Sequence, residues 1–228
     1  MDARFTRQGL TAVLAVVVLA IGVSLVKRSA GTVASALPAD TARITEEQRA
    51  AGPRFAAGVA PGDRAWIEAA IAAARPEAKP LVDLVDGLVE IRTVVGRDPH
   101  DPLGLTSSTF RGDQASFTID LNIAQLDGER VQDRNVVVLH ELGHVIDHAL
   151  VPQELDDRLD AMIPRPGSCG QTTTGLTGSC TEPAERFADT FAKWALRGAV
   201  SAVGAGYGVA NPPSLEDWGA PLVPLGNP

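Results

Sequence analysis

The sequence predicts an α+β fold in which a helix and a small β-sheet are followed by two longer helices. Apolar and polar residues alternate over residues 116–123, which is typical of a half-buried strand. Over residues 136–150 the apolar residues instead recur at helical spacing. A third pattern, an uncharged apolar run over residues 10–26, separates the N-terminus from this domain.

Residues 1–28 are predicted to form a short cytoplasmic tip and a signal anchor that spans the membrane. The apolar run has 17 residues, which is the lower limit for a spanning helix and long for the apolar part of a cleavable signal. Basic residues flank both ends of the apolar run, so their charges do not indicate the direction in which it crosses the membrane. We favour an uncleaved anchor over a cleaved signal, for which residues 34–36 would be the cleavage site. Both interpretations place the remaining chain outside the cytoplasm, as a single-pass cell-membrane protein or a secreted one.

Three regions follow the anchor. Residues 29–61 are rich in Ala, Gly, Thr and Pro and are predicted to be a flexible tether. Residues 62–198 suffice for one domain, with a helix at 63–74 and strands at 88–95, 109–111 and 116–123. Residues 199–228 are rich in Gly and Pro, and we expect either a tail wrapped on the domain or a disordered end.

The run His140-Glu141-Leu142-Gly143-His144 predicts a catalytic metal site. Residues four apart lie on the same face of a helix, so His140 and His144 can offer two ring nitrogens to one Zn²⁺ ion. Glu141 projects about 100° away from His140, where it can act as general base toward a water molecule. The apolar residues of the helix occupy the opposite side, and Gly143 is expected to leave space for metal and substrate.

A catalytic zinc site needs a third protein ligand. Cys169 and Cys180 are poor candidates for this ligand, because no second pair of cysteines accompanies them. His148 is also a poor candidate, because a straight helix does not readily bring three histidines, each one turn apart, onto one ion. A second helix, which begins near Pro183 and ends before Gly198, supplies better candidates.

On this second helix, Glu185 and Asp189 stand four residues apart and therefore share one face. We favour Glu185 as the third ligand because of this pairing. Glu182 is the alternative, although its place beside Pro183 indicates a capping role.

The two motifs together resemble the two-helix zinc core of the gluzincin metallopeptidases. The run from Glu185 to Phe191 is more particularly similar to the catalytic domain of anthrax lethal factor and its relatives. The resemblance implies a zincin-like domain in which His140, His144 and Glu185 bind zinc and Glu141 is the general base. It also implies that Asp189 orients a ligand histidine.

One feature departs from this resemblance. Relatives of lethal factor are expected to carry a tyrosine shortly before the second-helix glutamate, where it donates a hydrogen bond to the oxyanion. Residues 170–180 contain no tyrosine. Tyr207, His148 and His100 therefore remain as candidate oxyanion donors, and the sequence does not choose among them.

Because we expect the domain to be exported to an oxidising compartment, we predict a disulfide between Cys169 and Cys180, the only two cysteines of the chain. The net charge of −8 provides no electrostatic surface for nucleic acid. We therefore expect a peptide or protein substrate, bound beside the strand at 116–123. The alternative to an endopeptidase is a non-catalytic cell-surface interaction protein that retains a structural zinc site.

Overall fold

The computed structural model of the protein describes residues 52–96, 98, 101–111, 114–126, 134–165, 171–172, 175–176, 181–198 and 209–227. These residues form an α+β fold. The strands are β1 (Arg54–Phe55), β2 (Val89–Val94), β3 (Gly104–Arg111), β4 (Gln114–Asn122), β5 (Gln171–Thr172) and β6 (Gly175–Leu176). The helices are α1 (Pro61–Ala72), α2 (Lys79–Val85), α3 (Ile123–Leu126), α4 (Arg134–Leu150), α5 (Gln153–Met162), α6 (Pro183–Ala195) and α7 (Leu215–Gly219), with 3-10 helices at Asp86–Leu88 and Ala220–Gly226.

Four strands form a mixed sheet in the order β1-β2-β4-β3. Strands β1, β2 and β4 are parallel, whereas β3 runs antiparallel to β4 and lies at the end of the sheet. In β4 the alternating residues Phe117, Ile119 and Leu121 are buried, as the sequence pattern predicts. Strand β4 is an inner strand and β3 is the edge strand. The strand residues that line the cleft over His140 and His144 come from β3, not from residues 116–123 as expected.

Helix α4 is the centre of the domain and contacts α1, α6 and β3. Its apolar face is completely buried, with Leu139, Leu142, Val145 and Ile146 all inaccessible to solvent. Each such side chain contributes about 1.5–3 kcal/mol of burial free energy. This burial fixes the rotation of α4 and turns its histidine face away from the core.

Buried polar contacts hold α6 in place. The guanidinium of Arg186, which is almost inaccessible, donates to the Asp160 carboxylate and to the carbonyl oxygens of Asp160 and Ile163. These acceptors lie at the end of α5, so α5 anchors the helix that carries Glu185. A charged group buried in this way stabilises the fold only while its partners are present.

The described part of the C-terminal region, residues 209–227, packs on the domain. Trp218 is fully buried against Phe187, and its Nε1 donates to the Leu159 carbonyl oxygen at 3.2 Å. Arg75 holds Glu216 through two hydrogen bonds of 2.8 and 2.6 Å. Residues 209–227 therefore form a tail wrapped on the domain, which was one of the two expected alternatives.

The predicted anchor, residues 1–28, lies outside the described residues, as does the tether up to residue 51. At the end of the predicted tether, Arg54 and Phe55 pair with Glu90 and Ile91 as strand β1. No helix in the described ranges is long and apolar enough to cross a bilayer.

Gly143 allows α4 and α6 to approach each other closely. A Cβ built at this position would lie 2.9 Å from the Ala188 Cα and 3.3 Å from the Ala188 carbonyl oxygen. The sequence-based expectation that Gly143 leaves space for metal and substrate is therefore wrong, because the space is filled by the backbone of α6.

We expect Gly143→Ala to destabilise the protein even though alanine favours helix by about 1 kcal/mol over glycine. Overpacking typically costs about 1–3 kcal/mol, and here the obstructing atoms are backbone. Thermal unfolding should therefore give a lower Tm. Gly62→Ala is the matched control, since a Cβ built at Gly62 in α1 meets nothing within 4 Å. A Tm that rises equally in both variants would contradict the close helix crossing.

Candidate metal centre

Helix α4 presents His140, Glu141 and His144 on the side opposite its apolar face. His140 and His144 are one helical turn apart, with ring centroids separated by 4.8 Å and ring planes at 89°. Both side chains are largely shielded from solvent, with exposed fractions of 9% and 12%. The two imidazole rings therefore lie next to each other on one face of α4, as the spacing predicts.

Helix α6 supplies the carboxylate that meets these rings. Glu185 lies in its first turn, two residues after Pro183. Its Oε2 is 3.1 Å from Nε2 of His140 and 3.4 Å from Nε2 of His144. The alternative ligand Glu182 is the exposed N-cap residue of the same helix and does not belong to this cluster.

The three side chains together could hold one metal ion. Their ligand atoms all lie within 4.8 Å of one another. Two atoms bound at about 2.0–2.1 Å to one tetrahedral ion lie about 3.4 Å apart, close to the measured Glu185–histidine distances. Two imidazole nitrogens and one carboxylate oxygen are common metal ligands, so this group could hold a metal ion.

Electrostatics favour a charged carboxylate in this cluster. Burial raises the pKa of Glu185, but hydrogen bonds from His140 and His144 outweigh it and hold that pKa well below its usual range. Burial lowers the pKa of His140, yet the hydrogen bond to Glu185 and the charges of Glu141, Glu185 and Asp189 raise it overall. The cluster therefore attracts positive charge, whether this is a proton or a cation.

Asp189 is fully buried on α6, one turn after Glu185. Its carboxylate forms an ion pair with Lys193 at 2.7 Å, and the Lys193 ammonium also donates to the Val209 carbonyl oxygen. The charge of Asp189 contributes to the raised pKa of His140. Its role in orienting a ligand histidine stays a prediction.

A cleft of about 250 Å³ opens over the cluster. It lies between the edge strand β3 and the two helices. Its lining residues are Pro102, Gly104, Leu105, Thr106, Ser108, His140, Glu141, His144, His148, Ala184 and Glu185. A second cavity of about 320 Å³ shares Pro102 and Leu105 with the cleft. The two spaces are therefore neighbours at the start of β3.

Of the candidate oxyanion donors, the structure describes one. His148 lines the cleft and is exposed to solvent. Tyr207 and His100 lie outside the described residues, and so do Cys169 and Cys180 with their predicted disulfide.

Sequence reasoning missed two residues that contact Glu141. Thr106 on β3 donates from Oγ1 to the Glu141 Oε2 at 2.7 Å and lies 3.2 Å from the Glu141 carbonyl oxygen. A Cβ built at Gly104 would lie only 2.4 Å from the Glu141 Oε1, so glycine provides the space for this carboxylate. The sequence carried no signal for this contact, because the strand was expected only at residues 109–111.

Comparison of the chain with protein-family models, curated proteins and solved structures found no significant match.

Proposed function

We propose that this protein is a zinc-dependent endopeptidase of gluzincin type that hydrolyses peptides or proteins outside the cytoplasm. The observation that carries the proposal is the convergence of His140, His144 and Glu185 beside Glu141 in one cleft. His140 and Glu185 are 45 residues apart in the chain, so local sequence does not by itself bring them together.

His140, His144 and Glu185 would hold the ion in this mechanism. Zinc, when bound, polarises the scissile carbonyl and lowers the pKa of water. Glu141 takes the proton from the attacking water and later passes it to the leaving amine. Glu141 lines the same cleft as the three ligands. It is buried, so neighbouring atoms restrict the movement of its side chain.

The cleft suits an extended peptide. Strand β3 is an edge strand of the described sheet, and the free edge of a strand can pair with a substrate backbone through main-chain hydrogen bonds. Leu105, half of whose surface is exposed, lines both the cleft and the second cavity.

Of the three candidate oxyanion donors from the sequence, His148 is the one among the described residues, and it lines the cleft. Tyr207 and His100 remain candidates from the sequence. The N-terminal apolar segment would anchor the protein in the cell membrane with this domain on the outer side.

Metal removal and restoration test this proposal. The full-length protein, purified in detergent, should cleave a mixed peptide library after loading with one equivalent of Zn²⁺. Dialysis against a chelator should abolish cleavage, and added Zn²⁺ should restore it. Mass spectrometry of the products measures both the rate and the bonds cut. Stoichiometric zinc with no cleavage of any peptide would contradict the endopeptidase.

A further inference from the structure

The carboxylate of Glu141 is bounded by two residues of the edge strand. Thr106 Oγ1 lies 2.7 Å from Oε2, whereas the space left by Gly104 is next to Oε1, Cδ and Cγ. Gly104 and Thr106 pair with the buried Leu121 and Ile119 of β4, which places both on the face of β3 that looks toward α4.

This contact restricts the position of a flexible side chain. Glutamate has three rotatable side-chain bonds, and holding it in one arrangement costs conformational entropy. A hydroxyl that donates to a carboxylate forms a strong, charge-assisted hydrogen bond, and 2.7 Å is a typical length for it. Threonine is β-branched and stiff, so the backbone of β3 determines where its hydroxyl lies.

We propose that Thr106 is the positioning residue for Glu141 and that Gly104 keeps the space its carboxylate needs. Thr106 holds Oε2, which leaves Oε1 outside this hydrogen bond to exchange the proton with water and the leaving amine. A peptide that pairs with the edge of β3 would also fix the backbone that carries Thr106, so substrate binding and base alignment are linked. This inference rests on the proposed endopeptidase function.

Thr106→Val is expected to lower kcat about 10- to 100-fold with little change in KM, since a misplaced base affects the chemical step. Thr106→Ser keeps the hydroxyl and should restore most of the activity. Gly104→Ala should also lower kcat, because the added Cβ would displace the Glu141 side chain. Thr109→Val is the matched control, since Thr109 is exposed on the opposite face of β3. Zinc affinity should be unchanged in all four variants.

Two further measurements separate positioning from a general structural role. In the Glu141→Gln background, Thr106→Val should cause no additional loss of rate, because the group it aligns has been removed. In the metal-free protein, the ¹³C carboxyl resonance of Glu141 should shift in Thr106→Val but not in Thr109→Val.

An unchanged kcat for Thr106→Val in an active enzyme would overturn this inference alone. An unshifted Glu141 resonance would overturn it as well. Wild-type protein that binds zinc and cleaves nothing would instead overturn the proposed function, and this inference with it.

Discussion

Glu141→Gln is expected to lower the rate of peptide cleavage about 10²- to 10⁴-fold while the zinc content stays at one ion per chain. Glutamine has the same shape as glutamate and its carbonyl oxygen can still accept from Thr106, so the side chain should keep its place beside Gly104. The amide does not take a proton from water, however, and the reaction loses its general base. Product formation by mass spectrometry and zinc by elemental analysis are the measurements.

Glu182→Gln is the matched control for this substitution, because Glu182 is an exposed glutamate outside the cluster. Its cleavage rate should equal that of the wild type. Glu141→Gln protein that still cleaves peptides at the wild-type rate would exclude Glu141 as the base. If wild type and variant bind zinc, fold alike and have the same biological effect, the non-catalytic interaction protein becomes the better interpretation.

Glu185→Gln is expected to weaken zinc binding by more than about 100-fold. Loss of a residue that only supports a ligand typically costs about 10- to 100-fold in metal affinity, so loss of a direct ligand should cost more. The substitution also removes the negative charge that pairs with His140 and His144. Competition with a fluorescent zinc chelator measures the affinity, and the zinc-dependent rise in Tm should shrink in parallel.

The two candidate ligands on this helix can be separated directly. Glu182→Gln should bind zinc as tightly as the wild type, because its side chain lies outside the cluster. The opposite result, with zinc lost in Glu182→Gln and retained in Glu185→Gln, would show that the third ligand had been chosen wrongly.

Much of the secondary structure was predictable because its signals are local. The helix expected at residues 63–74 is α1, Pro61–Ala72, and the strand expected at 88–95 is β2, Val89–Val94. The second zinc-motif helix begins at Pro183, as predicted, and Gly198 has a positive φ just past its end. Proline in the first turn and glycine after the last turn are signals of the backbone itself.

Other elements were not predictable from local signals. Strand β3 extends from Gly104 to Arg111, well beyond the expected residues 109–111, because pairing with β4 stabilises residues that have no clear apolar alternation. Helix α5 buries only Leu155 and Leu159 and is polar at most of its other positions, so its pattern was too weak to identify. Both elements depend on contacts made by neighbouring parts of the fold.

The spacing of the first motif was sufficient to place His140 and His144 together, since four residues make about one turn of any α-helix. Sequence also identified Glu185 as the preferred partner, but it contained no information on the distance between two helices. That distance depends on the packing of Gly143 against Ala188 and on the anchoring of Arg186 by α5. Only tertiary structure decided that the Glu185 carboxylate reaches both imidazoles and that Thr106 holds Glu141. Side-chain contacts between separate elements are determined by how the whole core packs, and a local pattern does not encode them.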